Sequence, residues 1–320
     1  KVEEDDILLV KDGATTGKVS YVGSDFPYPK TCINEHVFRL VIDKKKAIPK
    51  FVFRFLQSSF GKKQILSDFR GATVGGISRG FVEKVQIPLP PLAEQRRIAA
   101  ILDKADAIRR KRRQTIELCD QFLRSVFLDM FGDPVNNPKG WRICTFRSII
   151  DSIIAGRSVK GENKPRENNE WAVLKISAVT SGRFVPSECK VVSLSQVDKK
   201  TVITPERGDL LFSRANTREL VAATCLVDES NPRLFLPDKL WKIVPNRKII
   251  CTEYLKYLLG HPKFREKITK KATGTSGSML NVSQEKVLEI EIPVPSIGLQ
   301  KKFANVVWKT YGLRKNFKQA

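Results

Sequence analysis

Histidine and methionine are nearly missing from this 320-residue sequence, with two of each. Its six cysteines, Cys32, Cys119, Cys144, Cys189, Cys225 and Cys251, never form a C-x-x-C pair, and neither His36 nor His261 adjoins one. A structural zinc site needs such ligands at close spacing, so no metal centre is expected, and the thiols read as reduced side chains of a cytoplasmic protein. No apolar run approaches the ~18 residues of a membrane span, and no signal-peptide pattern opens the chain. Acidic residues are also short: 34 against 57 lysines and arginines leave a net charge of +23. That excess draws a polyanion. The basic residues are dispersed rather than gathered on one amphipathic stripe, which favours nucleic acid over a membrane surface.

Against these absences stands one long uninterrupted stretch. Pro90-Pro91 fix φ and remove backbone donors, a rigid entry after which a helix can start. Neither Gly nor Pro then occurs between Leu92 and Phe131. Ile98, Leu102, Ala105, Arg109, Arg112, Ile116, Cys119, Leu123, Val126 and Met130 alternate steps of four and three, a heptad seam with a basic centre. The stretch predicts a single helix of roughly 55–60 Å, ended by Gly132 and Pro134. Its narrow apolar stripe implies a spacer that needs a partner helix.

The chain also repeats itself. Asp6-Ile-Leu-Leu-Val-Lys11 answers to Asp209-Leu-Leu-Phe-Ser-Arg214 at an offset of 203, and His36–Val41 answers to Lys239–Val244 at the same offset. Phe51, Val52, Phe55 and Leu56 pair likewise with Tyr254, Leu255, Leu258 and Leu259. After an insertion of two, Val85–Pro90 meets Ile290–Pro295, and Gln95, Ile98, Leu102 and Arg109 meet Gln300, Phe303, Val307 and Arg314. A period this long means duplicated domains rather than a solenoid. The expected organisation is a first domain at 1–91, the spacer helix at 92–131, a second domain at 132–295 and a shorter second helix at 296–320. Some 68 residues of the second copy precede Asp209 and only five precede Asp6, so the first domain is expected to be N-terminally incomplete. Within it, Ile7–Val10, Val37–Ile42 and Val85–Leu89 read as strands and Pro49–Ser59 as a helix.

Candidate binding residues lie in polar, basic loops. Gly13-Ala-Thr-Thr-Gly-Lys18 fails as a Walker loop, with three residues between its glycines and Val19 after the lysine. Its amides could still cradle a phosphate together with Lys11, Thr15, Thr16 and Lys18. Gly156–Arg166 is almost free of apolar residues and carries Arg157, Lys160, Lys164 and Arg166. The turn with Arg214, Asn216, Thr217 and Arg218 recurs at the repeat position of Lys11–Lys18, and Lys270, Lys271 and Ser276 supply a third group. Such side chains reach phosphates and base edges. Arg109, Arg110, Arg112 and Arg113 on the long helix are candidates for contacts with partner subunits.

Ile87-Pro-Leu-Pro-Pro-Leu-Ala-Glu-Gln95, Ile98-Ala-Ala-Ile-Leu102, Met130-Phe-Gly-Asp-Pro134, Asn137-Pro-Lys-Gly-Trp141 and Gly208-Asp-Leu-Leu-Phe-Ser-Arg214 together resemble the specificity subunit of Type I restriction–modification systems. The resemblance covers essentially the whole chain. It implies a mixed α/β fold in which two target recognition domains are held apart by long helices packed as an antiparallel coiled coil. Each domain would read one half of a bipartite double-stranded DNA target. The partners would be modification subunits, which use S-adenosylmethionine to methylate adenine, and a restriction subunit, which uses ATP and Mg2+; this chain would bind no cofactor and catalyse nothing. Pro295-Ser-Ile-Gly-Leu-Gln300 matches the first copy only in part.

Other functional classes fit less well. A fused methyltransferase needs an Asn/Asp-Pro-Pro-Tyr/Phe type motif, for which Asn137-Pro-Lys is no substitute. A fused nuclease has only Glu188-Cys-Lys190, without a counterpart in the first copy. A stand-alone nucleic-acid-binding protein lacks the RRM and KH signatures, and bipartite duplication favours duplex DNA.

Overall fold

A computed structural model describes residues 1–28, 30–71, 75–167, 169–197, 201–274 and 279–319. They form two compact units, Lys1–Arg113 and Gln114–Ala320, whose boundary falls inside one helix.

In the first unit, β1 (Ile7–Val10) is the centre of an antiparallel sheet between β2 (Val19–Tyr21) and β3 (Val37–Leu40). Two helices follow, α1 (Pro49–Gln57) and α2 (Ser59–Leu66), then a hairpin of β4 (Phe69–Arg70) and β5 (Gly76–Ile77), then α3 (Phe81–Lys84). Alternation along β1 sends Ile7 and Leu9 to one face, where they bury against Val52, Phe53, Leu56 and Ile65 of the helices. The sequence expectation of a strand at Val85–Leu89 is not met: those residues carry no strand pairing. The reason lies in the repeat. The equivalent segment of the second unit pairs with a strand that has no counterpart among the described residues of the first. An extended segment without a partner is not a strand.

The long helix α4 spans Leu92–Phe131, as the absence of Gly and Pro requires. Its buried positions differ from the expected seam. Leu102 and Ala105 are exposed, and toward the C-terminus the fully buried residues are Leu123, Phe127 and Phe131, a strict four-residue spacing. That spacing suits packing on the body of the second unit better than a heptad seam does.

The second unit continues with β6 (Arg142–Thr145), β7 (Ile150–Ala155), β8 (Ala172–Leu174), α5 (Ser177–Thr180), β9 (Cys189–Val191), β10 (Leu210–Ser213), β11 (Ala215–Asn216), β12 (Thr224–Leu226), β13 (Leu234–Phe235) and β14 (Leu240–Pro245). Then come α6 (Thr252–Leu259), α7 (Pro262–Lys270), β15 (Leu280–Asn281), α8 (Gln284–Leu288), β16 (Glu291–Val294) and α9 (Ile297–Gln319). The central sheet runs β12-β10-β14-β7, and β16 pairs with β6. One core joins Leu210, Phe212, Trp241 and Tyr254 to Phe127, Phe131 and Phe303; a second, around Ala172, Val179, Phe184 and Leu211, covers the other face.

The two units repeat in register, not only in sequence. Ile7 faces Leu40 as Leu210 faces Ile243; on the other side Ile7 faces Tyr21 and Leu210 faces Leu226, the same pairing after a two-residue insertion. The bridge from Asp12 to Gly76 recurs as Ala215 to Asn281. Asp6 binds Arg39 at 2.6 Å, and Asp209 binds Lys242 at 2.8 Å. Gln95 and Gln300, 1% and 0% exposed, make the same lock. Gln95 Oε1 accepts from the Ile48 amide and Nε2 donates to the Pro90 carbonyl; Gln300 does the same with Cys251 and Pro295.

Candidate nucleic-acid interface

Antiparallel pairing brings the end of β7, the end of β10 and the start of β14 to one edge of the second unit's sheet, with Ala155 against Trp241 and Ser213 against Leu240. Three loops grow from that edge. Gly156 makes their approach feasible, because a Cβ there would stand 2.1 Å from the Leu236 carbonyl oxygen. The Arg157 amide donates to that carbonyl at 2.9 Å. Ser158 bonds the Asp238 carboxylate, and Arg214 Nε donates to the Asp238 carbonyl at 3.1 Å. The Val282 amide donates to the Arg214 carbonyl and β11 pairs with β15, which draws Asn216 and the chain beyond Lys270 and Lys271 to the same end.

The structure therefore gathers Arg157, Arg214, Asn216 and Thr217 at one edge, with Arg218, Lys270 and Lys271 exposed on adjoining turns. Arg157 is exposed; Arg214 and Asn216 are half-buried, held by Asp238 and by the Asn216 side chain accepting from the Thr217 amide. Fixed side chains suit direct base reading, and free ones suit phosphates. Ser276 lies outside the described residues.

Lys160 and Lys164 line a separate open cleft of about 600 Å³ with Glu162, Trp171, Ser195 and Gln196. Glu170 sits 2.8 Å from Lys164 and holds its amine above the ordinary lysine range. Arg166 is engaged differently, donating to the Glu170 carbonyl and to Asn231, so it anchors the loop.

The first unit presents a reduced version. Lys11 and His36 stand where Arg214 and Lys239 stand in the second, and His36 Nδ1 is 2.6 Å from Asp12. Half of the phosphate cradle expected at Gly13–Lys18 is already used: the amides of Thr16, Gly17 and Lys18 donate to the carbonyls of Gly13, Val10 and Thr15. The Thr16 hydroxyl also donates to Gly13. What remains toward solvent is the exposed side chains of Thr15 and Lys18. Sequence reasoning missed Asp238 and Lys239, although their place just before the repeated strand β14 was the available signal.

On the long helix Arg109 and Arg110 are exposed and lie 3.6 and 3.7 Å from Asp106 one turn back; Arg113 is exposed and Arg112 half-buried. Arg314, the repeat counterpart of Arg109, is 3% exposed and clamps Asp120 at 2.9 Å. Among the described residues no three His, Cys, Asp or Glu side chains cluster as metal ligands, and no helix is long and apolar enough to cross a membrane.

Two α/β modules with the same register between their central strand pairs define a duplicated two-domain protein. The chain belongs to the family described as Type I restriction modification DNA specificity domain, whose model matches residues 1–118 and 138–311. Similar proteins include the MjaVIII specificity subunit of Methanocaldococcus jannaschii, 23% identical over 95% of this chain and 71% of that protein. The EcoKI specificity subunit of Escherichia coli is 26% identical over 87% of this chain and 61% of its own length. For the EcoEI subunit of Escherichia coli the values are 27% identity, 54% of this chain and 29% of that protein. The chain thus spans less than two thirds of the length of the two Escherichia coli relatives. In fold it is similar to a Type I restriction–modification S subunit from M. genitalium, with a TM-score of 0.61, 16% identity and coverage of 100% of this chain and 79% of that one.

Proposed function

We propose that this chain is the DNA sequence-recognition subunit of a Type I restriction–modification complex. Two reading modules, 1–91 and 132–295, would each meet one half of a bipartite duplex target, with 92–131 and 296–320 as helical spacers packed antiparallel. Half-site separation is then a property of protein geometry. The observation that carries this reading is the shared register of β3-β1 and β14-β10, which in the second unit ends at a loop edge carrying Arg157, Arg214 and Arg218. In the second unit Arg157, Arg214, Asn216 and Thr217 read bases while Lys160, Lys164, Arg218, Lys270 and Lys271 hold phosphates. In the first, Lys11, Thr15, Thr16 and Lys18 do the equivalent work. The chain supplies no catalytic group. Modification subunits carry S-adenosylmethionine, the restriction subunit carries ATP and Mg2+, and Arg109, Arg110, Arg112 and Arg113 meet the modification subunits.

The test is to co-purify the chain with its modification subunit and map the adenines methylated in a plasmid library. A bipartite motif with a fixed gap is the expected result. A single or symmetric half-site would remove the first unit from the reading, and no methylation with no duplex binding at ~0.1 M salt would reject the function. Alanines across Arg109–Arg113 should weaken subunit assembly; unchanged assembly would reject their assignment.

A further inference from the structure

Between α4, α6 and the turn into α7 lies a cavity of about 310 Å³ that the DNA reading does not use. Its walls are partly apolar, from Phe127, Leu128, Tyr257 and Pro262, and partly charged, from Asp120, Arg124 and Lys256. Lys256 is half-buried with its amine 3.7 Å from the Tyr257 ring centroid, and no carboxylate within 4 Å pairs with it. The nearest acid, Asp120, is already clamped by Arg183 Nε at 2.6 Å and Arg314 Nη1 at 2.9 Å. Of the cavity's own charged side chains, Arg124 and Lys256 are basic and the single acid, Asp120, is taken up by Arg183 and Arg314. One further polar atom on the wall has no partner among the described residues: Nδ1 of His261 is buried without a hydrogen bond. A half-buried lysine and an unpartnered imidazole nitrogen beside an apolar wall are the groups an anion would satisfy.

We propose that this cavity binds a small organic anion, a carboxylate on a compact apolar body. The carboxylate would sit between Lys256, Arg124 and His261, and the apolar part would lie against Phe127, Leu128 and Tyr257. The volume is at the low end for small-molecule sites and fits an aromatic acid. Burial brings the Lys256 amine down to about 8. Among the groups around it, Asp120, Arg124 and Arg314 act on it through charge, and burial keeps His261 and the Tyr257, Tyr311 and Cys225 side chains neutral near that pH.

The experiment is calorimetric titration of the full chain with benzoate, and with benzamide as its uncharged isostere, at pH 7 and pH 9. Benzoate should bind one-to-one, more weakly at pH 9, and benzamide should bind at least tenfold more weakly. Lys256→Met should reduce benzoate affinity at least tenfold and remove the pH effect. Leu128→Trp, which fills the cavity from a partly exposed position, should block binding even if the first variant fails to fold. No benzoate binding, equal binding of benzamide, or full binding by Leu128→Trp would each overturn the site.

Discussion

Gln95 and Gln300 show what a single residue can fix. Each is a fully buried amide that closes the entry to a long helix onto the start of the preceding helical pair, through Ile48 or Cys251 on one side and Pro90 or Pro295 on the other. Truncation would leave a buried backbone amide without an acceptor, a loss of about 1–3 kcal/mol. Gln300→Ala should therefore lower the urea midpoint of unfolding, and Gln300→Glu should not restore it, since the carboxylate cannot donate to Pro295. Equal stability of Gln300→Ala and wild type would show the lock to be ornamental. The residues were visible as a repeat match, but their role was not: sequence aligns the two glutamines without showing that both face backbone.

At the scale of elements, the β4–β5 hairpin is pinned by one buried carboxylate. Asp68 accepts from Lys84 Nζ at 2.6 Å, from the Ser78 hydroxyl and from the Ser78 amide at 3.0 Å, and the Lys84 ammonium above all holds its pKa down to about 2. With the folded value below the unfolded one, the contribution is complete above about pH 4 and is lost as pH falls toward 2. Asp68→Asn should lower the thermal midpoint at pH 7 and flatten its fall between pH 4 and pH 2; a parallel acid profile would refute this. In α4 the burial pattern makes a second test. Phe127 packs its ring 5.2 Å from Phe131, 5.6 Å from Tyr254 and 5.7 Å from Phe303, whereas Leu118 is largely exposed. Phe127→Ala should cost about 3–5 kcal/mol and Leu118→Ala under about 0.5 kcal/mol, by urea denaturation. The helix itself was legible because Gly and Pro are absent over forty positions. Which of its residues face the body was not, because the four-residue spacing of Leu123, Phe127 and Phe131 competes with the heptad in the same stretch. Repeated strands β1, β3, β10 and β14 were legible from apolar blocks at a fixed offset. Val85–Leu89 was misread because strand formation depends on a partner elsewhere in the chain. Arg166 looked available for a ligand and turned out to serve its own loop. Loop composition does not reveal which donors are already used.

For the whole molecule the controlling quantity is charge, +23 over 320 residues. Duplex DNA binding should fall linearly with log salt, each phosphate contact adding about −0.9 to the slope. If both units engage the duplex, exposed lysines in each must contribute. Lys18→Ala in the first unit and Lys271→Ala in the second should each reduce the slope by about 1 and weaken binding evenly across sequences. Arg214→Ala should behave differently, costing ~1–3 kcal/mol on the cognate site and relaxing preference at one base pair while leaving non-specific affinity nearly intact. Fluorescence anisotropy on cognate and scrambled duplexes between about 50 and 200 mM salt separates these outcomes. A slope moved by Lys271→Ala but not by Lys18→Ala would confine DNA contact to the second unit. The first unit would then contribute its repeated sheet without reading, in keeping with the amides of Thr16, Gly17 and Lys18 in its turn being already bonded.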